Sequence, residues 1–283
     1  MNKKNILGVG ITDATKEEVL EYLVKNLENF QKKLFIVTPN PEFLVLANEN
    51  PTFKEVLNKA DLALADGIGV VASGQVLGKP LKERFAGVEL LEKLCMIVAE
   101  KPITVGFLGG RGGVAEKTAE RLRKKYPGLK VGFVGEEWSS GDLLGETRSL
   151  KASSKPSGNT SLAYEGKSNS PAVEHSQKSS KNFVKKSFRE EFRPVDILFV
   201  AFGAPKQEFW INDNLEMLPV KVAVGVGGAF DYIGGKVPRA PLFVQKLGME
   251  WLFRLIVQPW RIKRQLSLLK FVWLVVKEKF SKN

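Results

Sequence analysis

Residues 197–208 read Ile-Leu-Phe-Val-Ala-Phe-Gly-Ala-Pro-Lys-Gln-Glu, an apolar run that passes directly into a polar turn. A short, continuous apolar run is typical of a strand that is buried on both faces, the kind of strand found in parallel sheets. Similar runs, each followed by a polar or glycine-rich turn, begin at Leu34, Leu62, Ile103 and Val222. These runs predict an α/β domain built on a parallel sheet.

Stretches with helical spacing separate most of the predicted strands. They lie at 14–31, 42–50, 51–60, 88–100 and 114–126, and a further strand is predicted at 130–134. This alternation is typical of a Rossmann-like parallel sheet flanked by helices. In such open sheets, ligands bind outside the carboxyl ends of the strands. We therefore expect the polar turns to converge on one crevice that forms the functional site.

The composition argues against several classes of enzyme. The 283 residues include one cysteine, Cys95, and one histidine, His175, which lies in a serine-rich stretch. A single cysteine excludes a disulfide framework and favours a reducing, cytosolic setting. A single histidine argues against a Ser-His-Asp hydrolase, a Cys-His enzyme and a histidine-ligated zinc site. Acid–base chemistry would therefore depend on carboxylate, lysine or tyrosine side chains.

Residues 139–189 differ in composition from the rest of the chain. They contain thirteen serines and few apolar clusters. A segment of this kind does not bury enough apolar surface to fold by itself. We therefore predict a low-complexity, disordered insertion at 139–189, which divides an α/β core into residues 1–138 and 190–241. Residues 242–283 are predicted to form a helical appendage.

The C-terminal segment is both basic and aromatic. Residues 236–283 carry eleven Lys and Arg against two Glu, which is +9 of the formal net charge of +12, and three of the five tryptophans. Such a segment favours an anionic partner, either nucleic acid or phospholipid. It is also aliphatic, which favours lipid, so no nucleic-acid partner is expected. Since no apolar run approaches the roughly 20 residues of a spanning helix, we predict a basic, amphipathic appendage that lies on an anionic membrane surface.

Asp66, which follows a predicted strand and precedes Gly67, has two interpretations. It is either part of an ordinary Asp-Gly turn or a carboxylate that deprotonates a substrate hydroxyl, a role for which the chain offers no well-placed histidine. Thr38 and Asn40 are likewise either helix-cap residues or hydrogen-bonding groups of the same crevice.

Several other residues at the predicted strand ends could hold an anion or a hydroxyl group. Arg84 and Arg111 are either solvated charges or groups that neutralise phosphates. The amide of Gln207 could hold a sugar hydroxyl or a phosphate oxygen, and the carboxylate of Asp231 could accept from a ribose or sugar hydroxyl. The loop Gly109–Gly113 favours phosphate binding at a helix N-terminus, with a structural tight turn as the alternative. It follows neither the GxGxxG spacing of dinucleotide-binding loops nor the P-loop spacing. The sequence has no Asp-X-Asp pair either, so we predict no metal and no cofactor.

Six segments, in order along the chain, resemble the WecG/TagA/CpsF glycosyltransferases. The resemblance covers residues 5–135 and 194–265, and the segments are Thr38-Pro-Asn-Pro-Glu, Ala65-Asp-Gly-Ile-Gly-Val-Val, Arg84-Phe-Ala-Gly, Phe107-Leu-Gly-Gly, Gly203-Ala-Pro-Lys-Gln-Glu and Val224-Gly-Val-Gly-Gly-Ala-Phe-Asp. The serine-rich segment at 139–189 departs from the family pattern, which runs more directly from one strand to the next.

The resemblance implies an activity and a location. Members of this family transfer a sugar from a UDP-sugar to a polyprenyl-diphosphate-linked acceptor on the cytoplasmic, inner face of the membrane, where the enzyme is peripheral. For the TagA branch the implied donor is UDP-N-acetylmannosamine, and the implied acceptor is undecaprenyl-diphosphate N-acetylglucosamine. The implied product is the linkage unit of wall teichoic acid.

By motif position, the resemblance also implies residue roles. Asp66 would be the catalytic base, with Thr38 beside it. Substrate-contacting roles fall on Asn40, Arg84, Gln207 and Asp231, and our reading of the glycine loop adds Gly109 and Gly110. The appendage would dock on the membrane and close over the active site, with Arg254, Arg261 and Arg264 binding lipid headgroups or the diphosphate of the acceptor.

Other functions stay open at this point. The donor could be another UDP-hexose or UDP-N-acetylhexosamine, in a related surface polysaccharide pathway. A nicotinamide-dependent oxidoreductase would share the fold, although the glycine spacing disfavours it. A nucleic-acid-binding module or a non-enzymatic lipid-binding scaffold would explain the basic appendage. A homo-oligomer is neither indicated nor excluded.

Overall fold

The computed structural model describes residues 1–136, 193–246 and 249–281. The insertion predicted at 139–189 lies outside these residues. Within them, a central sheet of six parallel strands has the order β4-β3-β8-β7-β5-β6. In chain order its strands are β3 Leu34–Val37, β4 Leu62–Ala63, β5 Thr104–Gly109, β6 Lys130–Gly135, β7 Ile197–Ala201 and β8 Val222–Gly225. The predicted Rossmann-like parallel sheet is confirmed.

The burial of the central strands explains why their sequences are continuously apolar. Every residue of β3, β7 and β8 is buried. In register, Val222 of β8 lies opposite Leu34 on one side and Ile197 on the other. Strands covered by helices on both faces are expected to lack the alternation of apolar and polar residues.

Helices flank the sheet, and two of the first three begin at Asn-Pro pairs. Asn40 caps the helix that starts at Pro41, and Asn50 caps the one that starts at Pro51; in each case the side-chain oxygen accepts a backbone N–H. Proline is favoured at this first position because its missing N–H is not needed there. The helices of the core are α1 Lys16–Glu28, α2 Pro41–Glu49, α3 Pro51–Lys59, α4 Ile68–Val76, α5 Gly87–Val98, α6 Val114–Lys125, α7 Lys206–Asn214 and α8 Ala229–Ile233.

Several elements were not predicted from the sequence. An antiparallel hairpin, β1 Lys3–Ile6 and β2 Val9–Thr12, forms a separate two-stranded sheet. The helices α4, α7 and α8 occupy segments that the sequence analysis read only as turns after strands. The first part of the predicted helical appendage forms two helices, α9 Leu242–Lys246 and α10 Glu250–Val257.

The C-terminal appendage ends in the long helix α11, Ile262–Phe280, after a 3-10 turn at Pro259–Arg261. Phe271, Leu274 and Val275 are buried, and Phe271 lies against the N-terminal turn of α4 at Gly69. Lys79 pairs with Glu278 at 3.2 Å, so both apolar and ionic contacts attach α11 to the core. In the part of the chain that the structure describes, none of the helices is long and apolar enough to cross a membrane.

Candidate active site

The turns that follow strands β3, β4, β5, β7 and β8 meet at one cavity, as the sequence predicted. The cavity has a volume of about 930 Å³. Its lining includes eight of the predicted site residues, namely Thr38, Asn40, Asp66, Arg84, Gly110, Gln207, Asp231 and Arg254. The fold therefore brings together side chains as far apart in sequence as Thr38 and Arg254.

Asp66 lies between the end of β4 and the start of α4. Its Oδ2 accepts the backbone N–H of Gly87, the first residue of α5, at 3.2 Å. Burial raises the pKa of Asp66 to about 6, against the opposing effects of this N–H and of Arg84, while Glu250 and Glu89 add to the rise. Such a carboxylate is ionised at neutral pH and is a stronger base than an ordinary aspartate, which suits a general base.

Thr38 and Asn40 are engaged by the backbone and also face the cavity. The Thr38 hydroxyl donates to the carbonyl oxygen of Gly225 at 3.1 Å, which joins the ends of β3 and β8. The Asn40 oxygen caps α2 by accepting the N–H of Phe43 at 3.1 Å. The helix-cap interpretation of Asn40 is thus confirmed, and its place in the cavity wall leaves the predicted substrate contact as a second role.

Arg84 reaches the cavity from the segment between α4 and α5. Its guanidinium pairs with Glu89, which also pairs with Lys16 at 3.2 Å. Arg239 extends this network, because it contacts Glu92 at 3.2 Å and Glu250 at 3.4 Å. The network connects α5 in the core with α10 in the appendage.

Gln207 is more deeply buried than the sequence analysis expected for a substrate-binding amide. Its side-chain oxygen accepts two backbone N–H groups, from Gly203 at 3.2 Å and Gly227 at 3.1 Å. Its Nε2 donates to Glu208 at 2.6 Å. Gln207 therefore ties together the turns after β7 and β8 while contributing to the cavity wall.

The glycine-rich loop after β5 only partly faces the cavity. Gly110 and Arg111 line it, whereas Gly109 is packed against β7 with φ of 111°, and a side chain there would come within 2.8 Å of the Ala201 backbone. The N–H of Gly113, at the start of α6, donates to the Glu136 carboxylate at 2.6 Å. A carboxylate of the protein itself thus accepts a hydrogen bond at the helix N-terminus where phosphate binding was one of the two interpretations.

Arg254 of α10 brings a positive charge from the appendage to the cavity. Its Nη2 lies 3.6 Å from Asp231 Oδ2, and its guanidinium carbon lies 4.8 Å from the centre of the Tyr232 ring. Both partners belong to α8, at the end of β8. The side chains of Arg261 and Arg264, which were predicted to act with Arg254, lie outside the described part of the structure.

One whole wall of the cavity was not predicted from the sequence. This wall is apolar and comes from Ile68, Ala72 and Val76 of α4 and from Leu268, Leu269, Val272, Val275 and Val276 of α11. On α11 the pairs Leu268–Leu269 and Val275–Val276 are seven residues apart, with Val272 between them, so the helical period there was a signal that could have revealed part of the wall. Lys206, Lys236, Glu250 and Trp251 also line the cavity without having been predicted there.

The cavity therefore combines a carboxylate of raised pKa, several cations and an apolar wall. It could deprotonate a hydroxyl, hold an anionic group and bind an apolar chain at the same time. Together with a Rossmann-like sheet, these properties are typical of group-transfer enzymes that act on phosphorylated substrates.

Comparison with known proteins identifies the family. The model of the glycosyl transferase WecG/TagA/CpsF family matches residues 4–142 and 189–283, and the chain belongs to this family. Three similar proteins are called N-acetylglucosaminyldiphosphoundecaprenol N-acetyl-beta-D-mannosaminyltransferase. The one from Bacillus spizizenii is 32% identical, over 98% of this chain and 92% of its own length. The one from Bacillus subtilis is 27% identical, over 100% of this chain and 94% of its own length. The one from Staphylococcus aureus strain MRSA252 is 30% identical, over 98% of this chain and 93% of its own length.

Proposed function

We propose that the protein transfers N-acetylmannosamine from UDP-N-acetylmannosamine to N-acetylglucosaminyldiphosphoundecaprenol, with inversion at the transferred sugar, in the synthesis of the wall teichoic acid linkage unit. The observation that carries the proposal is one cavity that unites Asp66, three guanidinium groups and an apolar wall. The acceptor has three parts that complement these features in turn, namely a reactive hydroxyl, a diphosphate and a polyprenyl chain. The shared name of the three relatives supports this choice of sugar and acceptor.

In the proposed reaction, Asp66 takes the proton from the acceptor hydroxyl as its oxygen attacks the anomeric carbon of the donor sugar. The bond between that carbon and the diphosphate oxygen breaks, and UDP leaves with the electron pair. Cations that line the cavity, including Arg84 and Arg254, oppose the negative charge that develops on the departing diphosphate. Such charge stabilisation is commonly the largest contribution to catalysis in group transfer.

The apolar wall would hold the part of the polyprenyl chain nearest the diphosphate. Beyond the cavity, the appendage carries exposed large apolar side chains, among them Trp260, Leu266 and Trp273. Basic residues lie close to these apolar groups, as with Lys277, whose ammonium lies 5.0 Å from the centre of the Trp273 ring. An apolar face flanked by basic residues is suited to the interface of an anionic membrane. We therefore propose peripheral attachment through the appendage.

The activity is tested with a soluble acceptor, a short-chain prenyl-diphosphate N-acetylglucosamine, and a panel of UDP-sugars. We expect transfer from UDP-N-acetylmannosamine and a disaccharide product of the corresponding mass. Transfer from a different UDP-sugar alone would replace the proposed donor and keep the reaction class. A lack of transfer from every donor would refute the proposed function.

Membrane attachment is tested by sedimentation with vesicles that contain phosphatidylglycerol. Replacing both Leu266 and Trp273 by serine should weaken binding at least about tenfold, because each buried apolar side chain contributes roughly 1.5–3 kcal/mol. Phe30→Ser is a matched control, since Phe30 is a large, exposed apolar residue that lies outside the appendage. Equal binding by the double variant and the control would contradict the proposed surface.

A further inference from the structure

Glu208 is a buried carboxyl group that the proposed reaction does not use. It follows Gln207 on α7, is completely inaccessible to solvent, and is not part of the cavity wall. Its Oε1 accepts a hydrogen bond from Gln207 Nε2 at 2.6 Å, whereas its Oε2 has no hydrogen-bond partner within the described residues. Burial raises the pKa of Glu208 to about 7. A buried carboxyl group with an unpartnered oxygen destabilises the fold, so stability alone does not explain this residue.

The contact with Glu208 determines how the Gln207 side chain is oriented. The two backbone N–H groups of Gly203 and Gly227 both point to the Gln207 oxygen. If the carboxamide were rotated by 180°, its NH2 group would face two donors and the oxygen would face Glu208. An acceptor at Glu208 therefore favours the one orientation in which Gln207 ties the two turns together.

These two turns form part of the cavity wall. Gly203 and Gly227 both line the cavity. The next residue, Gly228, lies so close to Arg254 that a side chain on it would approach the guanidinium to 2.8 Å. Asp231, which pairs with Arg254, lies one turn further along α8. A shift of the Gly227 turn would therefore move both the cavity wall and the groups that contact Arg254 of the appendage.

We propose that Glu208 is a positioning residue for the transfer reaction, which holds the carboxamide of Gln207 so that the turns after β7 and β8 keep the spacing required for donor binding. The inference rests on the proposed function for its reaction. It adds a residue that acts through Gln207 and touches neither substrate.

The test compares Glu208→Met and Glu208→Gln in the full-length protein. Methionine matches the length of glutamate and lacks the acceptor, whereas glutamine keeps an oxygen that can accept from Gln207 Nε2. We expect Glu208→Met to lower kcat/KM for the donor by about 10–100-fold, since small misplacements in a site have effects of this order. Its affinity for UDP should fall as well, while its thermal midpoint is unchanged or higher because the unpartnered carboxyl is gone. Glu208→Gln should stay close to the wild type in kcat/KM and in UDP affinity.

Two further variants separate positioning from general stability. Ile211→Ala removes a fully buried side chain from the same helix, so it should lower the thermal midpoint while the folded protein keeps its kcat/KM. In a Gln207→Ala background, Glu208→Met should cause no additional loss, because a residue that acts only through Gln207 is not additive with it. If Glu208→Met does not fold, Glu208→Asp replaces it, since its carboxylate is one methylene shorter and withdraws from Gln207.

Wild-type activity in Glu208→Met would overturn the inference. So would a decrease in kcat/KM by the same factor whether residue 207 is glutamine or alanine. A wild-type protein that transfers no sugar would instead refute the proposed function. UDP affinity would in that case still report on Glu208, because it does not depend on the acceptor.

Discussion

The raised pKa of Asp66 predicts how the rate of transfer depends on pH. A general base acts only when it is ionised, so kcat/KM should fall as the pH drops below the pKa of Asp66. With a pKa of about 6, Asp66 is ionised in roughly one tenth of the protein molecules at pH 5 and in roughly nine tenths at pH 7. An aspartate at its ordinary value of 3.8 would still be more than about nine-tenths ionised at pH 5. The difference in kcat/KM at pH 5 is therefore about tenfold.

The assay is kcat/KM for the soluble acceptor, measured from pH 4.5 to 8 in buffers of constant ionic strength. We expect a slope of one below the midpoint and a plateau above it, since the profile of kcat/KM reports the free enzyme. Asp66→Asn should be slower by roughly 10²–10⁴-fold over the plateau, the range for loss of a general base. A midpoint near 4, or near-normal turnover by Asp66→Asn, would refute the role of Asp66.

The charges around Asp66 provide a second test with opposite signs. Arg84 lowers the pKa of Asp66, while Glu250 raises it. Arg84→Gln should therefore shift the midpoint of the profile to higher pH, and Glu250→Gln should shift it to lower pH. Arg111→Gln is a suitable control, because Arg111 lines the same cavity but is not among the main influences on this pKa. Midpoints that do not move in either charge variant would show that another group controls the profile.

Three further predictions concern stability. Gly109→Ala should destabilise the fold by more than about 1 kcal/mol in urea unfolding, because its φ of 111° is unfavourable for alanine and the new methyl group would meet the Ala201 backbone; an unchanged midpoint would contradict the packing of this turn. Arg239→Met should make α10 more accessible to limited proteolysis, since it breaks the ion pairs with Glu92 and Glu250; equal cleavage of both proteins would show that other contacts hold α10. The pKa of Glu208 is raised from 4.5 to about 7, so ionisation of this group costs no stability below pH 4.5, and the fold loses stability as the pH rises from 4.5 through 7. Wild type should therefore lose up to about 3 kcal/mol relative to Glu208→Gln between pH 4.5 and 8, and parallel stability curves would contradict the raised value.

The sheet could be predicted from the sequence because its central strands are buried on both faces. Runs such as Leu34–Val37 and Ile197–Ala201 are continuously apolar and end abruptly in polar turns. Helix α7 was missed for the opposite reason. The residues that it buries include Gln207 and Glu208 as well as Ile211, so its buried face does not appear apolar in the sequence. Helix α4 has apolar residues and glycines on several faces, which weakens its helical period.

The candidate site was predictable to the extent that parallel strands place their carboxyl ends at one edge. This rule was sufficient for Thr38, Asp66 and Asp231, each of which follows a strand. It gave no information on contacts made through the appendage, such as the approach of Arg254 to Asp231. The Gln207–Glu208 pair was also beyond reach, because adjacent residues on a helix do not normally face each other, and their contact depends on the turns around them.

The position of Asp66 connects the two halves of the cavity. Gly67 follows it, and the next residue, Ile68, begins both α4 and the apolar wall. The carboxylate therefore lies where the polar turns after the strands meet the apolar wall formed by α4 and α11. This location accounts for its raised pKa, since desolvation is the dominant influence on the group. It also suits an acceptor whose reactive sugar is linked through a diphosphate to an apolar chain, because the hydroxyl must reach the base while the chain stays out of water. Desolvation at Asp66 is thus both the cause of its raised pKa and a consequence of its place beside the apolar wall.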